Sequence, residues 1–464
     1  MRYFRLTSRS LAGAVQVAVA GLCLSLSGVT RAAKFDVSPL TNNSLVDSSP
    51  RVSGWGVTWW GQTAAASSSR EIFYYNGIVT TPLTNNAYLD QDPVISGNHV
   101  AWWAQTGADA STRQVFLYDG QTVTPLTNDA LRNELPKISG NNVIWQRGSG
   151  ANQEIVVYNG STSTGLGVGA EFNVTTPSVN GQYVAWSSSG GLGHQIKLYD
   201  GVSTSVVATS ALALNNPVVN STGAVAWEGF INTNIDGSGR EIFYRNGATT
   251  TNLSNNSIPD FAPQISGNDV VWWQGAFPNQ QIYANYNGVL GEISTNPLRD
   301  QNPQISNGKV VWIGNDGTAD QIFYYDGSSI TKLTSGSGNK SAPQISGAHV
   351  VWQAPATGGA EIFQAIVYPA GDENKDGRVD ISDVTIAANH WLGPGPVGDA
   401  NNDGIVNIVD ITIMANHWLQ TLDMPPAPLA PPGPVPVVVP EPAPLGIALC
   451  GALLFTVWQF RRTG

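Results

Sequence analysis

The chain has 464 residues, among them 50 Gly, 28 Pro and 15 Trp, and only 12% are charged, a composition that excludes a disordered polyampholyte or a charged helical bundle. The net charge is -11, and between Lys34 and Pro442 there are 16 basic residues against 33 acidic ones, so nucleic-acid binding by phosphate neutralisation is excluded as well. Cys23 and Cys450, the two cysteines, sit in terminal apolar runs, which leaves the body without a disulfide, a zinc cluster or a thiol nucleophile.

In chain order, Arg2, Arg5 and Arg9 precede an apolar stretch from Leu11 to Leu26 and the small-x-small signal Thr30-Arg31-Ala32. Residues 1–32 therefore read as a secretory signal peptide. Residues 35–368 carry a repeat. Each unit has an opening Pro, a Gly-Asn type turn, an apolar run ending in Trp, a polar loop, and then Glu or Gln before Ile-Phe-x-Tyr-Asp/Asn-Gly. The opening prolines are Pro50, Pro93, Pro136, Pro177, Pro217, Pro263, Pro303 and Pro343, spaced by 43, 43, 41, 40, 46, 40 and 40 residues. Four short β-branched or aromatic segments per unit predict a four-stranded antiparallel blade, and eight units predict an eight-bladed β-propeller in a mainly β chain.

The second strand of each unit, such as Val270-Val271-Trp272-Trp273, is continuously apolar. That pattern suits a blade buried on both faces between neighbours, and the recurring Trp59, Trp102, Trp145, Trp186, Trp227, Trp272, Trp312 and Trp352 read as its packing. Ser38-Pro39-Leu40-Thr41-Asn42-Asn43 copies the unit ending Thr81-Pro82-Leu83-Thr84-Asn85-Asn86, and the eighth unit lacks that ending. The amino-terminal segment is therefore expected to supply the last blade's outer strand.

On these residues the repeats resemble the TolB-like class of β-propellers, whose blades also have a Pro-containing opening strand and a later x-Ile-Tyr/Phe strand. That class often has Asp before the Ile. Here the place holds Glu71, Gln114, Glu154, Gln195, Glu241, Gln281, Gln321 and Glu361, read as a hydrogen-bonding device at a strand start. His99 and His349 share one repeat position and read as turn residues, and Asn315-Asp316-Gly317 as a tight turn. No Gly-x-Ser-x-Gly, His-Glu-x-x-His or phosphate-binding Gly loop is present, and no pair of acids stands out against the repeat.

The strongest chemical motif follows the array. Asp372, Asn374, Asp376, Asp380 and Asp383 occupy positions 1, 3, 5, 9 and 12 of a loop with Gly377 at position 6; Asp399, Asn401, Asp403, Asn407 and Asp410 repeat the pattern around Gly404, 27 residues later. A hard cation needs six to eight converging oxygens, which such alternation supplies. Arg378 and Ile405, at position 7, would each give only a main-chain carbonyl. Each loop is expected to run into a helix, Val384–Leu392 and Ile411–Leu419, ending in His390-Trp391-Leu392 and His417-Trp418-Leu419, with the histidines capping or packing. The duplicated loop plus following helix resembles the dockerin domain, assigned to residues 370–421. The resemblance implies two Ca²⁺ ions and a cohesin-like protein partner. Ile381-Ser382 and Ile408-Val409 replace the polar Ser-Thr pair that many dockerins carry at positions 10 and 11.

Residues 422–439 are a Pro-rich linker with polyproline II character. Pro440-Glu441-Pro442, an apolar stretch 445–460 and Arg461-Arg462 follow. At 1.5 Å per residue this stretch spans about 24 Å, short of a ~30 Å hydrocarbon core but close enough to insert as a transmembrane segment with Trp458 at the interface. The three-part tail, residues 439–464, resembles the PEP-CTERM sorting signal, which implies processing by an exosortase-type protease.

Together these parts predict an exported protein at the cell surface or in the extracellular matrix, anchored transiently in the inner membrane. The expected function is a binding or scaffold protein whose propeller takes an extracellular polysaccharide or protein and whose dockerin-like module docks. The alternative is a carbohydrate-active hydrolase or lyase.

Overall fold

The structure, a computed structural model, describes residues 34–422 apart from 65–69, 108–111, 150–152, 168–171, 174–176, 192, 234–238, 395 and 402. The expected signal peptide, the linker from residue 423 onward and the sorting tail with its span 445–460 lie outside the described residues. Among the described residues no helix is long and apolar enough to cross a membrane. The chain divides into two compact units, Asp36–Ile366, and Val367–Gly464 taken with Met1–Phe35.

The larger unit is built almost entirely of short antiparallel strands arranged as a β-propeller. Its seventh repeat shows how the sequence dictates them. Asp300–Ser306 and Lys309–Asn315 pair across the turn Asn307-Gly308, whose φ angles of 50° and 75° are those a tight hairpin requires. Asp320–Tyr325 and Ile330–Lys332 complete the sheet. In Lys309–Asn315 every residue between the ends is buried. Trp312 pairs with Phe323 on the next strand, and the two rings stack with centroids 5.7 Å apart. The same stack joins Trp59 to Phe73, Trp102 to Phe116, Trp227 to Phe243 and Trp352 to Phe363, so the Phe of the Ile-Phe motif is the partner of its own unit's tryptophan.

Seven sheets result among the described residues. Five have four strands. The first two units are joined into one eight-stranded sheet by a single parallel bridge, Arg70 to Leu89. The fourth unit departs from the expected pattern with five strands, because its opening strand is split: Phe172–Asn173 and Ser178–Asn180 both pair with Tyr183–Gly190.

Most opening strands carry a bulge at the proline. Register shifts between Gln301 and Gln304, and Asn302 just before Pro303 is left-handed with φ 54°. Ser49, Asp92, Leu135, Asn216, Ala262 and Ala342 repeat this conformation. Proline has no N–H to give a ladder, and the bulge removes that residue from the pairing.

Neighbouring units pack through their tryptophans. Trp312 lies with Val271, Ile282 and Ala284 of the unit before it, and Trp272 with Ala226 and Ile242. Trp59 of the first unit lies with Val351 and Ile362 of the eighth, so the array closes on itself. A Trp buries roughly 150–250 Å² in such a place. A second tie links the opening strands of successive units. The Ser that ends an opening strand accepts a hydrogen bond from the next unit's turn: Gly97 N–H to Ser53 Oγ at 2.9 Å, Gly140 to Ser96 at 2.8 Å, Gly181 to Ser139 at 2.8 Å, Asn307 to Ser266 at 3.0 Å, Gly347 to Ser306 at 2.9 Å, and Gly54 to Ser346 at 2.8 Å. The last of these spans the join.

The expected closing strand is present. Lys34–Pro39 lies next to Gly359–Tyr368 as the outer strand of the final sheet. Beyond it, Leu40 N–H donates to the Ile362 carbonyl at 2.8 Å and Thr41 Oγ1 accepts from Ile362 N–H at 2.9 Å. Leu83 and Thr84 do the same to Ile72 inside the first unit.

In the smaller unit the helices are Ile381–Asn389 and Ile408–Asn416, three residues earlier at both ends than expected. The reason is local: Asp380 and Asn407 are N-caps in reciprocal capping boxes with Asp383 and Asp410, so helical geometry begins at loop position 10. His390 and His417 are the C-caps, and each ring Nδ1–H donates to the carbonyl four residues back, at 2.8 and 2.7 Å. The core is Val379, Val384, Ala387, Val406, Ile413 and Met414 with Ala370 and Ala400. The two halves exchange short β contacts. Val379 bonds Leu419 and Gln420 beyond the second helix, and Val406 bonds Leu392 and Gly393 beyond the first.

Candidate functional site

The two predicted loops adopt the same internal bonding at most of their positions. At position 1, Asp372 Oδ2 accepts from Gly377 N–H at 2.9 Å and Asp399 Oδ2 from Gly404 N–H at 2.7 Å. Gly377 and Gly404 have φ of 86° and 91°, a bend that side-chain-bearing residues rarely adopt. At position 12, Asp383 accepts from the Glu373, Asn374 and Asp380 amides at 2.7, 3.1 and 2.9 Å. Asp410 accepts from Asn401 at 3.1 Å and Asn407 at 2.7 Å. At positions 3 and 5, Asn374 Oδ1 accepts from Asp376 N–H and Asp376 Oδ1 from Arg378 N–H, both at 2.9 Å; Asn401 and Asp403 repeat this at 3.0 and 2.9 Å. Position 9, Asp380 or Asn407, is spent on capping. Ile405 and Arg378 stand at position 7, bridged to Pro394 and Thr421 respectively.

The electrostatics of this arrangement are unbalanced. Asp372, Asp383 and Asp410 are fully buried and Asp399 is 2% exposed. None of the four forms an ion pair with a described cationic side chain. Asp372 Oδ1 is buried with no hydrogen-bond partner. Burial pushes the Asp372 carboxyl up to about 6, with the Asp383 and Asp376 charges adding to the rise against the Gly377 hydrogen bond; burial raises Asp383 and Asp410 too. Stranded carboxylate charge is costly unless a cation is supplied, so the donor set fits a hard divalent ion. Among the described residues no three His, Cys, Asp or Glu side chains gather closely enough to hold a metal by themselves. Amide and main-chain oxygens of the loops would have to complete the shell, as a hard oxygen-seeking cation permits.

In the larger unit the repeated acid or amide is the strand-start device expected. Glu71, Glu241 and Glu361 accept from the Asn86, Asn256 and Asn43 amides. Gln114, Gln281 and Gln321 donate to the Asp129, Leu298 and Gly336 carbonyls. Glu154 differs, pairing with Arg147. Asn315-Asp316-Gly317 is a tight turn, with Asp316 Oδ1 accepting from the Thr318 and Ala319 amides. His99 and His349 do more than turn the chain. Their Nδ1 atoms reach the Gly140 and Gly54 carbonyls of the next unit at 3.3 and 3.1 Å, and Asn142 and Asn220 make the same link to Gly181 and Gly267.

Sequence reasoning missed two groups. The first is a set of buried acids three residues before the opening proline. Asp47, Asp90, Asp260 and Asp300 accept from the indole N–H of Trp59, Trp102, Trp272 and Trp312 at 3.0, 2.9, 2.7 and 3.0 Å. The second lies in the channel. Residues just after the opening prolines line one cavity of about 500 Å³, and among them are Arg51 and Lys137. The signal for both was the fixed distance from each proline.

No protein-family model matches the chain, and no curated protein matches it. Solved structures similar to it include the β-propeller domain of the trilobed protease from Pyrococcus furiosus, with 11% identity over 63% of this chain and 99% of that one and a TM-score of 0.48. A Mycobacterium tuberculosis puromycin-hydrolyzing peptidase is similar at 13% identity over 67% of this chain and 58% of that one, TM-score 0.45. The computationally designed Ika8 protein is similar at 16% identity over 72% of this chain and 99% of that one, TM-score 0.47.

Proposed function

We propose that this chain is an exported binding or scaffold protein: an eight-bladed propeller that presents a ligand surface, joined to a dockerin-like module that binds two Ca²⁺ ions and docks on a cohesin-like partner. The observation that carries the docking half is the set of four buried aspartates in two matched loops, one with an oxygen that nothing satisfies. In this reading Asp372, Asn374, Asp376, the Arg378 carbonyl, Asp380 and Asp383 hold one ion. Asp399, Asn401, Asp403, the Ile405 carbonyl, Asn407 and Asp410 hold the other. Calcium would supply charge and cross-link each loop to its following helix, and it takes no part in a reaction.

The eight-blade count is supported by eight opening prolines and by the Ser346 to Gly54 and Trp59 to Val351 contacts that join the eighth unit to the first. Extracellular polysaccharide or protein as ligand, export to the cell surface or matrix, and removal of the tail by an exosortase-type protease belong to the same reading, and they rest on the two terminal segments. Isothermal titration of the chelator-treated full chain with CaCl₂ tests it. Two sites are expected, with MgCl₂ binding far more weakly; no heat on adding calcium would remove the docking half.

A further inference from the structure

The opening strands give the propeller a channel whose chemistry runs against the rest of the chain. The residue after the opening proline lines one cavity in unit after unit, among them Arg51, Val94, Lys137, Val218, Gln264 and Gln344. In a chain body with 16 basic residues against 33 acidic ones, two of the cations thus share one cavity. Among the described residues neither forms an ion pair. Arg51 spends one N–H on the neighbouring Pro50 carbonyl at 2.9 Å. The Lys137 ammonium has no hydrogen-bond or ion-pair partner among the described residues. Asp92, the acid whose charge acts on both, is half-buried and accepts from Trp103 Nε1–H at 2.8 Å.

Two like charges facing one cavity repel each other. Burial first, and the Arg51 charge second, pull the Lys137 ammonium down to about 8, against the attraction of Asp92; burial also lowers Arg51. Such a pair is stabilised by an anion placed between its members, where a guanidinium offers a planar fork and an ammonium a point charge. The rest of the lining suits a polyhydroxylated body. Gln264 and Gln344 offer amides, while Val94 and Val218 offer apolar walls, and the cavity volume is that of a small-molecule site.

We propose that this channel is a binding site for an acidic sugar, its carboxylate lying between Arg51 and Lys137 and its hydroxyls facing the channel amides. The proposal rests on the reading of the propeller as a polysaccharide-binding surface and names the ligand class. The repeat itself supplies the test variants. Gln264, Gln304 and Gln344 occupy the position of Arg51 and Lys137 in three units, so Arg51→Gln and Lys137→Gln are substitutions the fold already accommodates. Asn precedes the proline at Asn216 and Asn302, so Asp92→Asn is accommodated likewise.

The experiment is titration of the full chain, held in mild detergent, with glucuronate, glucose and inorganic phosphate, with the melting temperature of each variant as a folding control. Glucuronate is expected to bind while glucose does not. Each Gln variant should weaken glucuronate binding at least about tenfold and the double variant should abolish it, with Asp92→Asn strengthening it several-fold by removing the opposing charge. Equal binding of phosphate and glucuronate would leave an anion site without sugar recognition and overturn the proposal. So would glucuronate binding unchanged in the double variant, or none at all. If the double variant still retains acidic polysaccharide in a pull-down, the channel proposal fails while the binding-protein reading survives.

Discussion

At the level of single residues, the buried acids beneath the tryptophans are the most informative feature of the larger unit. Asp90 is 1% exposed, accepts from Trp102 Nε1–H and Asn86 Nδ2–H, and lies near Glu71; burial leads a rise of its carboxyl to about 6. Asp47, near Glu361, is raised to about 6 and Asp260, near Glu241, to about 7, again chiefly by burial. The third unit solves the same problem by moving the charge from the buried position to the exposed Asp129. Gln114 replaces the Glu, and Asn133 accepts from Trp145 Nε1–H at 3.0 Å while donating to Asp129 at 2.8 Å. Because the folded-state values lie above the unfolded one, these groups favour the fold below about pH 4, and that contribution is lost as pH rises through 6 to 7. The triple variant Glu71→Gln/Asn86→Asp/Asp90→Asn, which copies the third unit, is therefore expected to gain on the order of 1–3 kcal/mol at pH 8 and almost nothing at pH 4. Urea unfolding at the two pH values measures this, and an equal change at both would refute it. The Glu or Gln half of the device was readable from its place before every Ile. The Asp half was not, because its partner indole lies 12 residues away across a turn, and neither residue is part of an alternating pattern.

Among the elements, the outer strand Lys34–Pro39 and the residues after it decide whether the array closes. Its legibility came from the copied Pro-Leu-Thr-Asn-Asn ending, and the copied contacts of Leu40, Thr41 and Asn43 with Ile362 and Glu361 show why those types recur. Deleting residues 35–46 would expose the Gly359–Tyr368 strand as an unpaired edge and leave Ile362 N–H, Glu361 and the Trp59 interface without their partners. The expected result is a fall in melting temperature of more than about 10 °C, beyond what one lost hydrogen bond of ~1 kcal/mol would give; an unchanged melt in differential scanning fluorimetry would mean the strand does not close the array. The fourth unit was less legible. Its opening stretch has Val179-Asn180, as the fifth unit has Val219-Asn220, where five units have Ile-Ser, and the pairing of both Phe172–Asn173 and Ser178–Asn180 with Tyr183–Gly190 has no counterpart elsewhere among the described repeats. The loop helices were legible as elements but not at their ends, since Asp383 and Asp410 serve as both loop and first-turn residues. In that double role Asp383→Asn leaves the capping bond partly intact yet removes buried charge. It is expected to cost at least about tenfold in affinity for one calcium ion and leave the other site near wild type, read as two resolved sites by titration.

On the scale of the whole molecule, the division into two compact units makes a statement about cooperativity. The larger unit owes its order to eight buried tryptophans and to serine bonds at six of the junctions between successive units, the join of the eighth to the first included. The smaller has a core of eight mostly small residues beside four buried aspartates, too little apolar area to offset the conformational entropy of ordering some fifty residues without another source of free energy. A ligand that binds only the folded form adds RT ln(1 + [L]/Kd), about 2.7 kcal/mol at a hundredfold excess over Kd, and two such ions would act on the smaller unit alone. Calorimetry of the full chain should therefore resolve two transitions. The smaller should move upward with CaCl₂ and vanish with chelator, together with the helical signal of Ile381–Asn389 and Ile408–Asn416. The larger transition should stay in place, because its tryptophan packing and its serine bonds lie wholly within Asp36–Ile366. A single transition that shifts as a whole with calcium would mean that the two units unfold as one body. Two transitions that both ignore calcium would mean that the aspartates are neutralised by protons, and that the loops keep only the form of an ion site.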